Sequence, residues 1–329
     1  MKQYELAFKI LSILADGYFH SGEALASGAG CSRVTIWKAV AQLKDLGINV
    51  FSVKKKGYRL QHKLDILNEL EIQKELGELN QFVNFELIQV IESTNSFLNQ
   101  SSSKKPHATV VAANIQTKGK GRRGRMWQAK IGESMALSIL WKFDRGASML
   151  SGLSLVVGLA LQRLTQKLGL QNTFLKWPND LLIKQEENLL KMAGVLIELQ
   201  GDMESRCSAI IGIGFNYELS KETLKIIDQP AIGIKDFLNQ DIQPNQLIAM
   251  IIREVIDALS EFEKNGFMSM KDEWLTYNAF KNTHIKFKKS NGEEVIGEIV
   301  DLEPDGSLML KKNDGSTESL ISGEVTQVK

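Results

Sequence analysis

Near the start of the chain Leu6, Ile10, Ile13 and Leu14 recur at helical spacing, and Gly17 ends that run. Ser21 is placed to cap a short second helix across Glu23-Ala24-Leu25, and Gly28-Ala29-Gly30 makes a turn. Ser32 can cap a third helix with Ile36, Val40, Leu43 and Leu46 on its inner face and Gly47 behind it. The pattern then switches to alternation: Ile48 and Val50, a turn at Lys54-Lys55-Lys56-Gly57, and a return through Tyr58 and Leu60. Two helices joined by a glycine turn, followed by a basic hairpin, predict a winged helix-turn-helix over 1–62. A small protein-binding helical module fits the same pattern.

Leu64, Ile66, Leu67, Leu70 and Ile72 predict a helix at about 64–77. Strand-like runs follow at Phe85–Ile91, Ala108–Asn114, Met135–Trp141, Phe174–Trp177, Met192–Leu199 and Ile210–Phe215. Between and after them lie two long apolar-faced helices, about 148–169 and 244–264. This mixture predicts an α+β chain with a mixed central sheet over 63–270. From His284 short alternating runs return, with turns at Asn291-Gly292, Pro304-Asp305-Gly306 and Asn313-Asp314-Gly315. They predict a small SH3-like β barrel within 271–329.

Composition changes this picture little. Over 329 residues, 43% apolar and 24% charged content is that of an ordinary globular protein with room for two or three domains. Net charge is only +1, but nine Lys and Arg against four acids put +5 on residues 1–62. Two cysteines, Cys31 and Cys207, give no disulfide framework, and four scattered histidines give no zinc spacing. No signal-peptide pattern opens the chain and no apolar run is long enough to span a bilayer, so a cytoplasmic protein is expected.

The chemistry gathers at strand ends. Gly119-Lys120-Gly121-Arg122-Arg123-Gly124-Arg125, followed by Met126-Trp127, interleaves glycines with cations. Such a loop can wrap its N–H groups round an anion while the guanidinium groups take phosphate oxygens in pairs. It is neither a Walker loop, which ends Gly-Lys-Ser/Thr, nor a Rossmann turn, whose glycines open a helix. Charge patterning alone also fits a solvated basic loop. Four further clusters are Ser93-Thr94-Asn95 (with Gln116 before the loop), Lys176-Trp177-Pro178-Asn179-Asp180, Lys191-Met192-Ala193-Gly194 and Gly212-Ile213-Gly214-Phe215-Asn216.

These clusters, in this order behind a winged helix and ahead of a small β domain, resemble the biotin–protein ligase family in its bifunctional bacterial type, ligase and biotin operon repressor in one chain. The resemblance implies that biotin and MgATP give biotinyl-5′-adenylate, and that a lysine of the biotin carboxyl carrier protein of acetyl-CoA carboxylase then takes the biotin. It assigns Ser93, Thr94, Asn95, Gln116, Lys120, Gly121, Arg122, Lys191, Gly194 and Gly212 to biotin. Arg122, Arg123, Arg125, Trp127, Lys176, Asn179 and Asn216 fall to ATP and the adenylate. Arg122, Lys176, Asp180 and Lys191 form the catalytic set, and Asp180 is the implied Mg²⁺ ligand.

Ser32, Arg33, Thr35 and Lys38 would enter the major groove of operator DNA, and Lys54, Lys55 and Lys56 would rest on phosphates. The adenylate would also be corepressor, favouring a homodimer, with no membrane partner. A lipoate–protein ligase relative and a ligand-sensing transcription factor without ligase activity are the competing readings. Lys120 stands where the family usually has arginine, and the turn Lys184–Asn188 is longer than usual. No tryptophan lies in 217–230, which leaves Tyr217, Ile226 and Ile227 as candidate covers for the adenine.

Overall fold

Hydroxyl caps set the first helices. Ser21 Oγ accepts from Ala24 N to open α2 (Gly22–Ala29), and Ser32 Oγ accepts from Thr35 N to open α3 (Arg33–Asp45). With α1 (Glu5–Leu14) they bury Leu11, Leu14, Leu25, Ile36 and Leu43, and the antiparallel wing β1 (Val50–Val53) and β2 (Gly57–Leu60) completes the winged helix. The structure, a computed structural model, describes residues 4–128, 130–202, 204, 206–289 and 291–328.

The helix expected at 64–77 is shorter. α4 spans Glu69–Leu76, capped by Asn68, and residues 64–68 run extended. The buried Asn114 amide explains why: it accepts from Leu67 N at 2.9 Å and donates to Leu67 O at 3.2 Å, holding that backbone to the sheet. Leu70, expected on the apolar face, is exposed.

A seven-stranded mixed sheet follows: β3 (Asn84–Ile91), β4 (Thr109–Gln116), β5 (Ser134–Phe143), β6 (Thr173–Lys176), β7 (Asp180–Gln185), β8 (Asn188–Gly201) and β9 (Cys207–Asn216). Its order is β3-β4-β5-β9-β8-β7-β6, with only β3 and β4 parallel, joined by the crossover helix α5 (Thr94–Ser101). β7 was not expected as a strand; it pairs with β6 and β8, so the turn contracts to Glu186-Glu187.

α6 (Leu153–Lys167) starts later than expected because Gly152, at φ 83°, separates it from a 3₁₀ turn at Ala147–Leu150. By length and composition the stretch Ala147–Lys167 would cross a membrane, but α6 is buried against the sheet and the long amphipathic α8 (Pro244–Asn265). α7 (Lys221–Ile226) precedes α8 and α9 (Lys271–Thr276) follows it.

The last module is an antiparallel sheet in the order β13-β12-β11-β10-β14, from β10 (His284–Lys289), β11 (Glu294–Leu302), β12 (Leu308–Lys312), β13 (Thr317–Leu320) and β14 (Gly323–Gln327). It is the expected SH3-like β domain, and its Ile285, Phe287, Leu308 and Leu310 join the central hydrophobic core without a break. Trp177 is the tie: its ring lies 5.6 Å from that of Phe287, and its Nε1–H donates to Gly306 O at 2.9 Å.

Trp177→Phe keeps a ring in that contact and removes the donor. We expect a loss of about 1–3 kcal/mol, read as a lower midpoint in thermal or urea denaturation. An unchanged midpoint would show that this bond does not hold the modules together.

Candidate functional site

β9 is bare where the site lies. A Cβ on Gly212 would stand 2.2 Å from Asn95 Oδ1, and one on Gly214 would stand 2.3 Å from Trp127 Cε2. Gly194 faces Gly214 across β8, and a Cβ there would meet Lys191 Cε at 3.0 Å and Trp127 at 3.3 Å. Gly212 therefore leaves room for the Asn95 side chain while it lines the first cavity, and Gly194 leaves room for a lysine stem together with an indole.

Three cavities meet over this floor. The first, about 480 Å³, is lined by Ser93, Thr94, Asn95, Gln116, Gly212 and the Lys120–Arg122 segment, among others. The second, about 660 Å³, is lined by Arg125, Met126, Asn216, Ile226 and Ile227 among others. The third, about 1140 Å³, holds Arg122, Arg123, Arg125, Lys176, Asp180 and Glu324 in its wall. Trp127 and Lys191 line all three.

At the closed end of the first cavity Ser93 caps α5. Gln116 Oε1 accepts from Thr94 N at 2.8 Å, and Asn95 is buried. The glycine-arginine loop is a folded hairpin: Gly121 N donates to Arg125 O and Trp127 N to Gly119 O, with a 3₁₀ turn at Arg122–Gly124 where Arg123 sits at φ 56°. Arg122 Nη1 reaches Asn179 Oδ1 at 3.3 Å. Arg125 and Arg123 turn instead to Glu324 of β14, at 2.9 and 3.7 Å. Lys120 lies 3.9 Å from Glu198, away from the third cavity.

Lys191 Nζ is 2.8 Å from Asp180 Oδ1, with both side chains largely buried. The contact is a charge pair rather than an aligned hydrogen bond, since that buried oxygen accepts no hydrogen bond. Lys191 also lies over the Trp127 ring at 5.7 Å. The Trp127 indole N–H donates to Ser134 Oγ at 3.1 Å, and Asn216 Nδ2 to Lys191 O at 3.2 Å. Tyr217 is in the core with its hydroxyl on Ile242 O, so it covers nothing; Ile226 and Ile227 remain as the apolar wall of the second cavity.

Five cations against three carboxylates line the third cavity. Burial pushes the Lys176 ammonium below its usual range; Asp180 resists this shift and Lys191 reinforces it. Burial likewise lowers Arg122, helped by repulsion from Arg123. Cations held below their ordinary pKa are short of negative charge, and such a site is built to receive an anion.

The DNA-side residues lie together in the winged helix. Arg33 and Lys38 are exposed on α3, Arg33 resting 3.3 Å from Glu23, and Lys54, Lys55 and Lys56 are exposed at the wing turn. Ser32 and Thr35 are occupied with each other, Oγ to Oγ1 at 2.8 Å. Val34 and Trp37, one turn apart and 66% and 64% exposed, share that face and were missed. Also missed were Ser138, Glu198 and Glu324. The first two break apolar strands with a polar residue, which was a readable signal.

The HTH domain model matches residues 7–59, the biotin/lipoate A/B protein ligase family model residues 87–216, and the biotin protein ligase C terminal domain model residues 282–326. The chain is 32% identical over 326 residues to the bifunctional ligase/repressor BirA of Escherichia coli K12, covering 99% of this chain and 98% of that one. It is 30% identical over 309 residues to the protein of the same name in Bacillus subtilis, covering 92% of each. Among solved structures it is similar to the biotin protein ligase from Aquifex aeolicus in complex with biotin and ATP, with TM-score 0.61 and 25% identity over 75% of this chain and 99% of that one. With a catalytic module, a DNA-binding module and a C-terminal module all matched in order, the chain belongs to the biotin/lipoate A/B protein ligase family, among its bifunctional ligase/repressors.

Proposed function

We propose that the protein joins biotin to ATP as biotinyl-5′-adenylate, passes the biotin to a lysine of a biotin carboxyl carrier protein, and represses transcription with the adenylate as corepressor. The observation that carries this reading is the shared wall of Trp127 and Lys191 between three cavities. A ligand with its ring head among Thr94, Asn95 and Gln116, its purine beside Ile226 and Ile227, and its phosphates among the third cavity's cations reacts where the cavities meet.

In the first step a carboxylate oxygen of biotin attacks the α-phosphorus and pyrophosphate leaves. Two anions approach each other, so placed cations supply most of the catalysis. Lys191 and Arg122 are assigned to the attacking and transferred oxygens, Lys176 and Arg125 to the leaving pyrophosphate. In the second step the carrier lysine's amine attacks the acyl carbon and AMP leaves; proximity suffices once the anhydride is formed.

Among the described residues no group of three or more His, Cys, Asp and Glu is placed to cage a metal. Asp180 is the carboxylate that would face Mg²⁺ brought in with the nucleotide, and its Oδ1, which accepts no hydrogen bond, is paired with the Lys191 ammonium at 2.8 Å, a charge the ion would share. Bound there, Mg²⁺ supplies neutralisation of phosphate charge. A ligase that draws on ATP and binds operator DNA would work in the cytoplasm, and a homodimer would match a two-half-site operator.

The test is biotin-dependent ATP–pyrophosphate exchange, run beside lipoate with each carrier domain; exchange with lipoate alone would transfer the assignment to lipoate ligation. Arg122→Ala removes a cation from the lid over the anhydride. We expect the adenylate to escape and label nearby lysines at random; labelling still confined to the carrier, measured by mass spectrometry, counts against a clamp.

The depressed Lys176 gives a pH prediction. Bound phosphates raise its pKa, so the complex holds more protons than the free enzyme. ATP affinity then falls as pH rises through the free enzyme's Lys176 pKa. Calorimetry in buffers of different ionisation enthalpy should show proton uptake, and Lys176→Met should abolish it.

Deleting 1–62 uncovers Val90, Ile115 and Ile131, which pack against the winged-helix core, so the melting midpoint drops modestly. DNA binding should be lost and exchange largely kept; a folded truncation without exchange would overturn the division of labour.

A further inference from the structure

Behind the first cavity Thr94 and Asn95 join a line of polar groups that ends at the half-buried Glu198, a residue that the two-step chemistry does not use. Glu198 Oε2 accepts from Asn95 Nδ2 at 2.8 Å. Asn95 Oδ1 accepts from Ser138 Oγ at 2.6 Å, and Ser138 Oγ lies 2.6 Å from Thr94 Oγ1. Asn95, Ser138 and Thr94 are all buried.

The directions of these bonds follow from chemistry. An ionised carboxylate only accepts, so Asn95 must turn its amide nitrogen to Glu198 and its carbonyl oxygen to Ser138. Ser138 has one hydrogen, and Asn95 Oδ1 takes it. The 2.6 Å gap between the two hydroxyls still needs a hydrogen, and only Thr94 can supply it. Gln116 Oε1 accepts from Thr94 N–H at 2.8 Å and is the other acceptor within reach of the Thr94 hydroxyl, at 3.1 Å, so that hydrogen stays inside the protein with either partner. Thr94 therefore has no hydrogen left for the cavity and meets a ligand there as an acceptor. Gln116, with its carbonyl engaged, offers its Nε2–H₂. Asn99 Nδ2 at 3.5 Å and Lys120 Nζ at 3.9 Å also face the Glu198 carboxylate at the end of the line.

We propose that Glu198 is a positioning residue that, through Asn95 and Ser138, fixes Thr94 as a hydrogen-bond acceptor and so selects a ligand presenting an N–H there, as a cyclic urea does. The inference rests on the biotin reading of this cavity. Glu198 touches no substrate. Its charge sets which way Asn95, Ser138 and Thr94 point, and a buried acceptor left unpaired penalises any ring head without the N–H.

The test is biotin-dependent ATP–pyrophosphate exchange on the full chain, with Glu198→Leu and Glu198→Gln made in both the native and the Thr94→Val backgrounds. Glu198→Leu should raise the biotin KM about tenfold, the scale of one charge-supported hydrogen bond, with kcat and the ATP KM within about twofold. Glu198→Gln, which keeps an acceptor oxygen, should recover most of that loss.

In the Thr94→Val background the Leu substitution should cost little further, because its target is already gone. Equal losses in both backgrounds, or a fall in kcat matching the rise in biotin KM, overturn the proposal. Should the Leu variant fail to fold, Ser138→Ala cuts the same line, and its effect must likewise vanish with Thr94→Val. Absence of biotin-dependent exchange in the unmodified protein would instead defeat the underlying ligase reading.

Discussion

Everything in the site depends on side chains that β9 lacks. Because alternate residues of a strand share a face, Gly212 and Gly214 clear one continuous strip, and Gly194 extends it onto β8. Asn95 occupies the space over Gly212, and the Trp127 indole occupies the space over Gly214 and Gly194. A single methyl at 212 or 214 would displace the group that forms the end or the wall of the first cavity. The strip also fixes Lys191, whose stem passes Gly194 before its ammonium reaches Asp180 and the Trp127 face. The protein thus builds a recognition floor from backbone and lays its functional groups over it from three directions.

Charge is organised on that floor by the same economy. The cations of the third cavity come from the hairpin, β6 and β8, and repel one another; Asp180 and Glu324 keep them together without a ligand. Glu324 belongs to the C-terminal sheet, so the hairpin is held by a module that joins the central core elsewhere, through Trp177 and Phe287. Phosphates entering the cavity would compete with a carboxylate for the same guanidinium groups. That makes the hairpin's attachment depend on occupancy by simple electrostatic exchange.

Much of this was legible in the sequence because local rules agree with the fold. The caps at Ser21 and Ser32, the wing at Lys54–Gly57 and the Gly-turn hairpins stand where spacing put them. The five polar clusters, each unremarkable alone, converge on adjoining cavities. What was not legible depends on distant partners. The start of α4 is decided by the Asn114 amide, far along the chain, and β7 exists because β6 and β8 flank it. Lys120 lines the first cavity, where its motif puts it, but its approach to Glu198 on a distant strand had no local signal. Tyr217 looked available but is held by Ile242 O. Ser138 and Glu198 showed in the sequence as polar breaks in apolar strands, but their partners lie on other elements and had no signal.

The two halves of a ligase/repressor must exchange information, and packing shows the shortest route. The winged-helix core does not stop at its own module: Leu64, Ile66, Val90, Ile115 and Ile131 pack against it. Val90 is the last residue but one of the strand that leads to Ser93, Ile115 immediately precedes Gln116, and these parallel strands are paired directly, Val90 to Ile115. The residues proposed to hold the ligand's head therefore follow strand positions whose side chains pack against the winged-helix core. Coupling between sites requires an element that both can bias. Here that element is small: one strand pair with the ligand at its tip and the winged helix on its flank. A shift of its ends on ligand binding would act on Val90 and Ile115, and so on the winged-helix core they pack against.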